Sequence, residues 1–197
     1  MKKRKNIITV AIDSPAAAGA GTQAKLISEH FKLFYLDTGK IYRYIGLLKL
    51  KNHSSFSYAM IRKKIKNINL SLLKNKNLLS TEVALSASKI AKDKKIRAIV
   101  HKFQQKCAYQ PPKKYKGSVL DGRDIITVQL KDAMFKFYIT ANIKVRAKRR
   151  FNEYKNLNKK ISYNDVLKSL RIRDKSDKER KYGPLKKTKD SILINTT

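Results

Sequence analysis

The residues Ser14-Pro15-Ala16-Ala17-Ala18-Gly19-Ala20-Gly21-Thr22 stand between an apolar run and a helical pattern. Small side chains let backbone N–H groups approach an anion closely, and a helix starting there adds the positive end of its dipole. The segment departs from the phosphate-loop pattern G-x-x-x-x-G-K-[ST] at Ser14 and at Ala20, where the first glycine and the lysine would stand. Taken alone it reads as a strand-to-helix turn. Guanidinium groups form a second set. Arg123 follows a strand end, where a fork-shaped cation can grip a phosphate bidentately. Arg146, Arg149 and Arg150 share a helical face by their spacing, and Arg173, Asp177 and Arg180 recur at three- and four-residue intervals. Such faces seek an anion; the competing readings are a solvated helix completed by Glu153 and an exposed ion-pair ladder.

These residues need elements to hold them. The β-branched run Ile7–Ile12 predicts a buried strand that stops at Asp13-Ser14-Pro15. A helix follows in which Leu26, Ile27, His30 and Phe31 share a face. Phe34–Leu36 predicts a second strand, and Asp37-Thr38 caps a helix from about Gly39 to Leu50. A Lys/Asn-rich stretch then holds a helix near Ser57–Lys66 and a hairpin around Lys74–Asn77. Thr81-Glu82 opens a helical pair ended after Tyr109 by Pro111-Pro112. Strands follow at Ser118–Leu120, Met134–Ile139 and Ser191–Ile194, with helices from Asn142 and over Asn164–Lys175. Five short strands alternating with helices predict an α/β fold, a doubly wound parallel sheet with helices on both faces. Ligands bind beyond the carboxyl ends of such strands, where the polar clusters fall.

Composition sets the outer bounds. The 197 residues suit one domain. Their 47 Lys+Arg against 14 Asp+Glu give a net charge of +33, which points to anionic partners, nucleotides or nucleic acid. Lys and Asn recur throughout the chain, as low-GC coding would also produce. Cys107 is the only cysteine, so disulfides and thiolate clusters are excluded and a reducing compartment is expected. His30, His53 and His101 lack metal-ligand spacing. The basic residues Lys2–Lys5 before an apolar run imitate a secretory signal, but Asp13 and Pro15 interrupt it and no stretch reaches transmembrane length. A cytoplasmic protein is expected.

Several motifs together are specific. Ala11-Ile12-Asp13-x-Pro15-Ala16, Gly19-x-Gly21-Thr22, Leu36-Asp37-Thr38-Gly39-x-Ile41-Tyr42-Arg43 and Asp121-Gly122-Arg123-Asp124 resemble the bacterial cytidylate kinases in order and spacing. Arg146-Ala147-x-Arg149-Arg150 and Arg173-Asp174-x-x-Asp177-x-x-Arg180-x-x-x-Pro184-Leu185 are similar to that family's lid helices. The resemblance implies a P-loop NTPase-type fold over 1–197, with a core of about 6–51 and 81–197, a small NMP-binding insertion over about 52–80 and a helical lid over about 146–184. It also implies transfer of the γ-phosphoryl of ATP to CMP or dCMP by a monomer, with small-molecule nucleotides and Mg²⁺ as partners.

Residue roles come with the resemblance. It implies that Pro15, Ala16, Ala18, Gly19, Ala20, Gly21 and Thr22 hold the ATP phosphates, that Thr22 faces Mg²⁺, and that Asp13 holds the metal's water shell. Thr38, Tyr42, Arg43, Ser88, Arg97, Arg123, Asp124 and Asp177 would bind CMP, with Asp124 accepting from the exocyclic amine and Arg97 and Ser88 satisfying ring acceptors. Arg149, Arg150, Arg173 and Arg180 would carry the transfer. Ala20 stands where the family carries a lysine, so another cation, Lys25, Arg149, Arg150 or Arg180, is expected to compensate. Ile126 replaces a glycine, and the resemblance would continue past Thr197 through an adenine-contacting loop. The alternatives are an impaired nucleotide binder and a basic nucleic-acid-binding module; no motif that reads DNA or RNA supports the latter.

Overall fold

The computed structural model describes residues 6–52, 54–157 and 160–197; Lys2–Lys5 and His53 lie outside them. The central strand β1 (Ile8–Asp13) is apolar on both faces because both are covered. Its alternation divides the core: Ala11 joins a cluster with Leu36, Ile41, Val100 and Leu120, while Val10 and Ile12 join one with Ala20, Ala24, Leu33 and Ile139. With β2 (Phe34–Asp37), β3 (Gly117–Gly122), β4 (Phe135–Thr140) and β5 (Ile192–Asn195), it builds a five-stranded sheet in the order β2-β3-β1-β4-β5. All four pairings are parallel. This is the α/β, doubly wound, P-loop NTPase-type arrangement expected from the sequence.

Register brings the functional ends together. Asp37 pairs with Asp121 across β2 and β3, and Asp13 pairs with Gly122 across β1 and β3. Helix α1 (Ala20–Phe31) leaves the end of β1, and α2 (Thr38–Lys51) leaves β2 with Asp37 as its N-cap. Helices α3 (Tyr58–Lys66), α4 (Thr81–Ile90) and α5 (Lys94–Tyr109) follow. Helices α6 (Ile143–Asn156) and α7 (Tyr163–Glu179) pack on each other beside the first loop, where Ala16, Ala147, Val166 and Leu170 form a third cluster.

Three local expectations are corrected. Two 3₁₀ turns, Leu70–Lys74 and Lys76–Leu79, replace the hairpin around Lys74–Asn77. Asn69 and Asn75 side chains accept the Ser71 and Asn77 N–H groups at 2.9 Å each, local turns that outcompete strand pairing. Helix α1 turns Ala20, Ala24 and Ile27 inward and leaves Leu26 and Phe31 each 54% exposed, because small residues let it lie close on the sheet. Helix α7 continues past Lys175 to Glu179, since no proline or glycine interrupts it before Gly183-Pro184. Among the described residues no helix is long and apolar enough to cross a membrane.

Candidate active site

The loop after β1 turns sharply through Ala17 and Gly19, at φ 60° and 86°. Glycine at 19 removes the steric cost of that left-handed turn. The bond from Gln23 N–H to Gly19 C=O, 3.1 Å, leaves the amides before it without a helical partner. Pro15, Ala18, Gly19, Ala20, Gly21 and Thr22 line a cavity of about 310 Å³. The Ala16 side chain lies instead in the cluster with Ala147, and its carbonyl accepts from Arg146 Nη1 at 3.1 Å. Arg146 also donates to Ala141 O and to Asp174, so this buried guanidinium ties the loop to α6 and α7. The Ala20 methyl packs into the core cluster beneath the loop.

Across the cavity stand guanidinium groups from four elements: Arg43 on α2, Arg123 after β3, Arg150 on α6 and Arg173 on α7. Burial and then the neighbouring Arg150 hold the Arg43 pKa below its usual value. Burial lowers Arg173 to about 10, with Arg123 next among the causes and Asp177 opposing. Asp177 meets Arg123 Nε at 3.0 Å, Arg173 Nε at 3.8 Å and Arg180 Nη1 at 3.7 Å. Arg150 pairs with Glu153 at 2.9 Å, and Arg43 donates to Leu78 O at 2.7 Å. Cations this crowded are suited to a ligand bearing several negative charges.

Deeper in the cleft Asp124 is held by three donors: Arg97, Gln129 Nε2 at 3.2 Å and, on its other oxygen, Arg180 Nη2 at 3.5 Å. Thr38, Tyr42 and Ser88 line the same cavity. The Tyr42 hydroxyl is buried with no hydrogen-bond partner among the described residues, as is Gln129 Oε1. Gly183, at φ 60°, lies so close that a Cβ there would come within 2.5 Å of Asp124 Oδ2. Thus the chain after α7 folds over the Arg97–Asp124 pair. Sequence reasoning missed Gln129, which a π-helical turn, Ile125–Gln129, directs inward; no period in the sequence marks such a turn.

The acidic residues at the strand ends divide into two kinds. Both Asp13 oxygens accept backbone N–H groups, from Ile125 at 2.8 Å and Ile126 at 3.0 Å, and the residue is fully buried. Asp13, expected in a metal's water shell, is not among the cavity-lining residues, and both its oxygens brace the π-turn that carries Gln129. Of the carboxylates at the ends of β2 and β3, Asp37 and Asp121 line the cavity, and Asp121 Oδ1 is buried without a partner. Arg97 and Arg149 are not among the cavity-lining residues; Arg149 is bound to Thr196, by its O at 2.6 Å and its Oγ1 at 3.1 Å.

Burial pushes the Asp13 carboxyl up to about 7, and burial followed by Asp37 raises that of Asp121. A raised folded-state pKa means that the folded chain binds the proton more tightly than the unfolded one. The stability it contributes is complete below the ordinary value near 3.8 and is lost as pH rises through about 7. In metal-free buffer the melting temperature therefore falls between pH 5 and pH 8, by several degrees at roughly 1–2 kcal/mol. Asp121→Asn flattens that slope in a thermal-shift titration; an unchanged slope would disprove the assignment.

The family model described as cytidylate kinase matches residues 10–197. A cytidylate kinase of Clostridium botulinum (strain Hall) is 39% identical over 201 residues, covering 96% of this chain and 90% of that protein. Cytidylate kinases of Fusobacterium nucleatum and Thermosipho melanesiensis are 40% and 37% identical, over 96% and 95% of this chain and 90% and 88% of theirs. The crystal structure of an uncharacterized protein from Eubacterium ventriosum shares the fold, with a TM-score of 0.52 at 15% identity, covering 96% of this chain and 88% of that one.

Proposed function

Because the chain belongs to the cytidylate kinase family, we propose that the arginine-walled cavity at the strand ends is the site where a phosphoryl group passes from ATP to CMP or dCMP. The products are ADP and CDP or dCDP. The observation that carries the residue assignments is the convergence of Arg43, Arg123, Arg150 and Arg173 opposite the Gly19–Thr22 turn within one cavity.

Phosphoryl transfer asks the protein for alignment and positive charge, with little covalent work. The open amides of the first loop and the N-terminal end of α1 hold the donor phosphates. Arg43 and Arg123 grip the acceptor phosphate, with Asp177 fixing Arg123 by its bond to Nε. Arg150 and Arg173 stand beside them to offset charge as it develops between donor and acceptor, and Arg180 closes from α7. Asp124 accepts from the exocyclic amine of cytosine, once that amine takes over part of the space held by Arg180. Arg97 stays on Asp124 and orients it, while Ser88 and the unpartnered Tyr42 hydroxyl complete the base and ribose side.

The residues present also fit a hydrated Mg²⁺. Asp37, Asp121 and the Thr22 hydroxyl line one side of the cavity, and the orphaned Asp121 oxygen lacks a partner that a metal-bound water would supply. Mg²⁺ takes one or two carboxylates and keeps several waters, consistent with the lack of a three-ligand cluster among the described residues. The ion supplies electrostatic stabilisation of the phosphates. On the same reading the enzyme acts in the cytoplasm as a monomer; the lone unpaired Cys107 fits a reducing compartment.

A coupled ADP-release assay with CMP, dCMP, UMP and AMP tests the reading. CMP and dCMP are expected to turn over at least about 10²-fold more efficiently than UMP, whose O4 offers no donor and leaves the buried Asp124 acceptor unpaired. Equal turnover of all four, or none, would refute it.

A further inference from the structure

The phosphate loop holds no ammonium group, because Ala20 turns its methyl into the apolar core. Of the compensating cations expected from the sequence, Lys25 and Arg149 do not line the cavity, while Arg150 and Arg180 line it as guanidinium groups already bound to acceptors. The Lys25 side chain is 69% exposed and pairs with Glu29. Arg180 is bound to Gly183 O at 2.6 Å and to Asp124. Arg149 is anchored on Thr196, and Arg150 leans on Glu153.

One other cation meets the requirement. Lys40 is the only lysine among the cavity-lining residues. It occupies the first turn of α2, where its N–H donates to Asp37 Oδ1 at 3.2 Å, and its Nζ rests only loosely, at 3.8 Å, against Asp37 Oδ2. Asp37 is in register with Asp121. Asp121 Oδ2 in turn lies 3.8 Å from where a Cβ on Gly21 would sit. The strand register and this close approach thus set Lys40, Asp37 and Asp121 on the same side of the cavity as the Gly21 end of the loop. Its four-carbon stem and three rotatable donors allow the ammonium to move over several ångströms without disturbing the helix.

On the kinase reading of this cavity, we propose that Lys40 supplies from α2 the ammonium that the phosphate loop lacks, moving from Asp37 onto the terminal phosphates of the donor nucleotide. At rest, Asp37 holds the ammonium within the cavity. The loose ion pair with Asp37 leaves the Lys40 ammonium able to exchange that carboxylate for phosphate oxygens as acceptors. The positive charge therefore comes from the end of β2 instead of from the loop after β1.

Calorimetric titration of ATP, in EDTA and in Mg²⁺, together with single-turnover transfer to CMP, tests this on the wild type, Lys40→Met and Lys40→Arg. For Lys40→Met, ATP affinity is expected to fall about tenfold and the transfer rate at saturation by a further ~10-fold, at the low end for one preorganised charge. CMP affinity stays within twofold, and Lys40→Arg recovers most of the loss. The proposal is overturned if Lys40→Met leaves both ATP affinity and transfer unchanged, or weakens CMP as much as ATP. Failure of the kinase reading looks different: the wild type transfers nothing to CMP, yet the loss of ATP affinity in Lys40→Met still reports the ammonium contact.

Discussion

Asp124→Asn lowers kcat/KM for CMP by about 10³-fold, the scale for a site that reads a substrate N–H and is left mismatched. Asp124 is the one carboxylate in the cleft held by Arg97, Gln129 and Arg180 together. An amide there keeps the shape but puts an NH₂ in place of one oxygen, against Arg97 and Gln129 or against Arg180 and the base. The matched acceptor for the base is lost, and Arg97, whose side chain is 8% exposed, loses its counter-charge, while Arg180 keeps only Asp177 at 3.7 Å. Leaving a buried charge unpaired costs roughly 3–5 kcal/mol, so the melting temperature falls as well. The two effects separate by ligand: ATP affinity, measured by calorimetry, stays near the wild-type value if the variant is folded. A variant that keeps its selectivity for CMP over UMP would show that Asp124 does not read the base.

Arg123→Met lowers kcat by about 10³-fold, at the upper end for removal of one preorganised charge. Arg123 is poised from both sides, its Nε on Asp177 at 3.0 Å and its Nη1 on the Gly122 carbonyl at 2.9 Å. This leaves the remaining guanidinium donors aimed into the cavity beside Arg43 and Arg173. Arg123→Lys recovers little, because a point charge cannot replace a fork held in place at one edge. Asp177 keeps Arg173 and Arg180 as counter-charges when Arg123 is lost, so the variant is expected to stay folded, with a melting temperature only a few degrees lower. Steady-state kinetics over a range of CMP concentrations decide the matter; a rise in KM alone, with kcat intact, would mean that Arg123 binds the acceptor without favouring transfer.

Much of the framework was legible in the chain. The β-branched Ile7–Ile12 run, the Asp37 cap and the proline stop after Tyr109 each act through neighbours close in sequence, and β1, α2 and α5 formed where those signals lay. The hairpin around Lys74–Asn77 failed because asparagine side chains close local turns there. The helical face through Leu26 and Phe31 failed because hydrophobicity alone ignores how closely a helix must approach the sheet. Asp13 shows the limit at the site: a carboxylate at a strand end has the same letter whether it meets a metal's water or, as here, two backbone N–H groups from a turn 112 and 113 residues away.

The sequence by itself determined the alternation of strands and helices, the small-residue turn at 14–22 and the identities of the arginines, since these depend on side-chain size, period and local capping. Tertiary structure alone decided which charges are free to act. Register between β2 and β3 set Asp37 beside Asp121, and packing occupied Arg146, Arg149 and Arg180 with carbonyls and carboxylates. A guanidinium on a helix face and one clamped by a distant carbonyl are indistinguishable as letters; only the distances between chain-remote groups separate them.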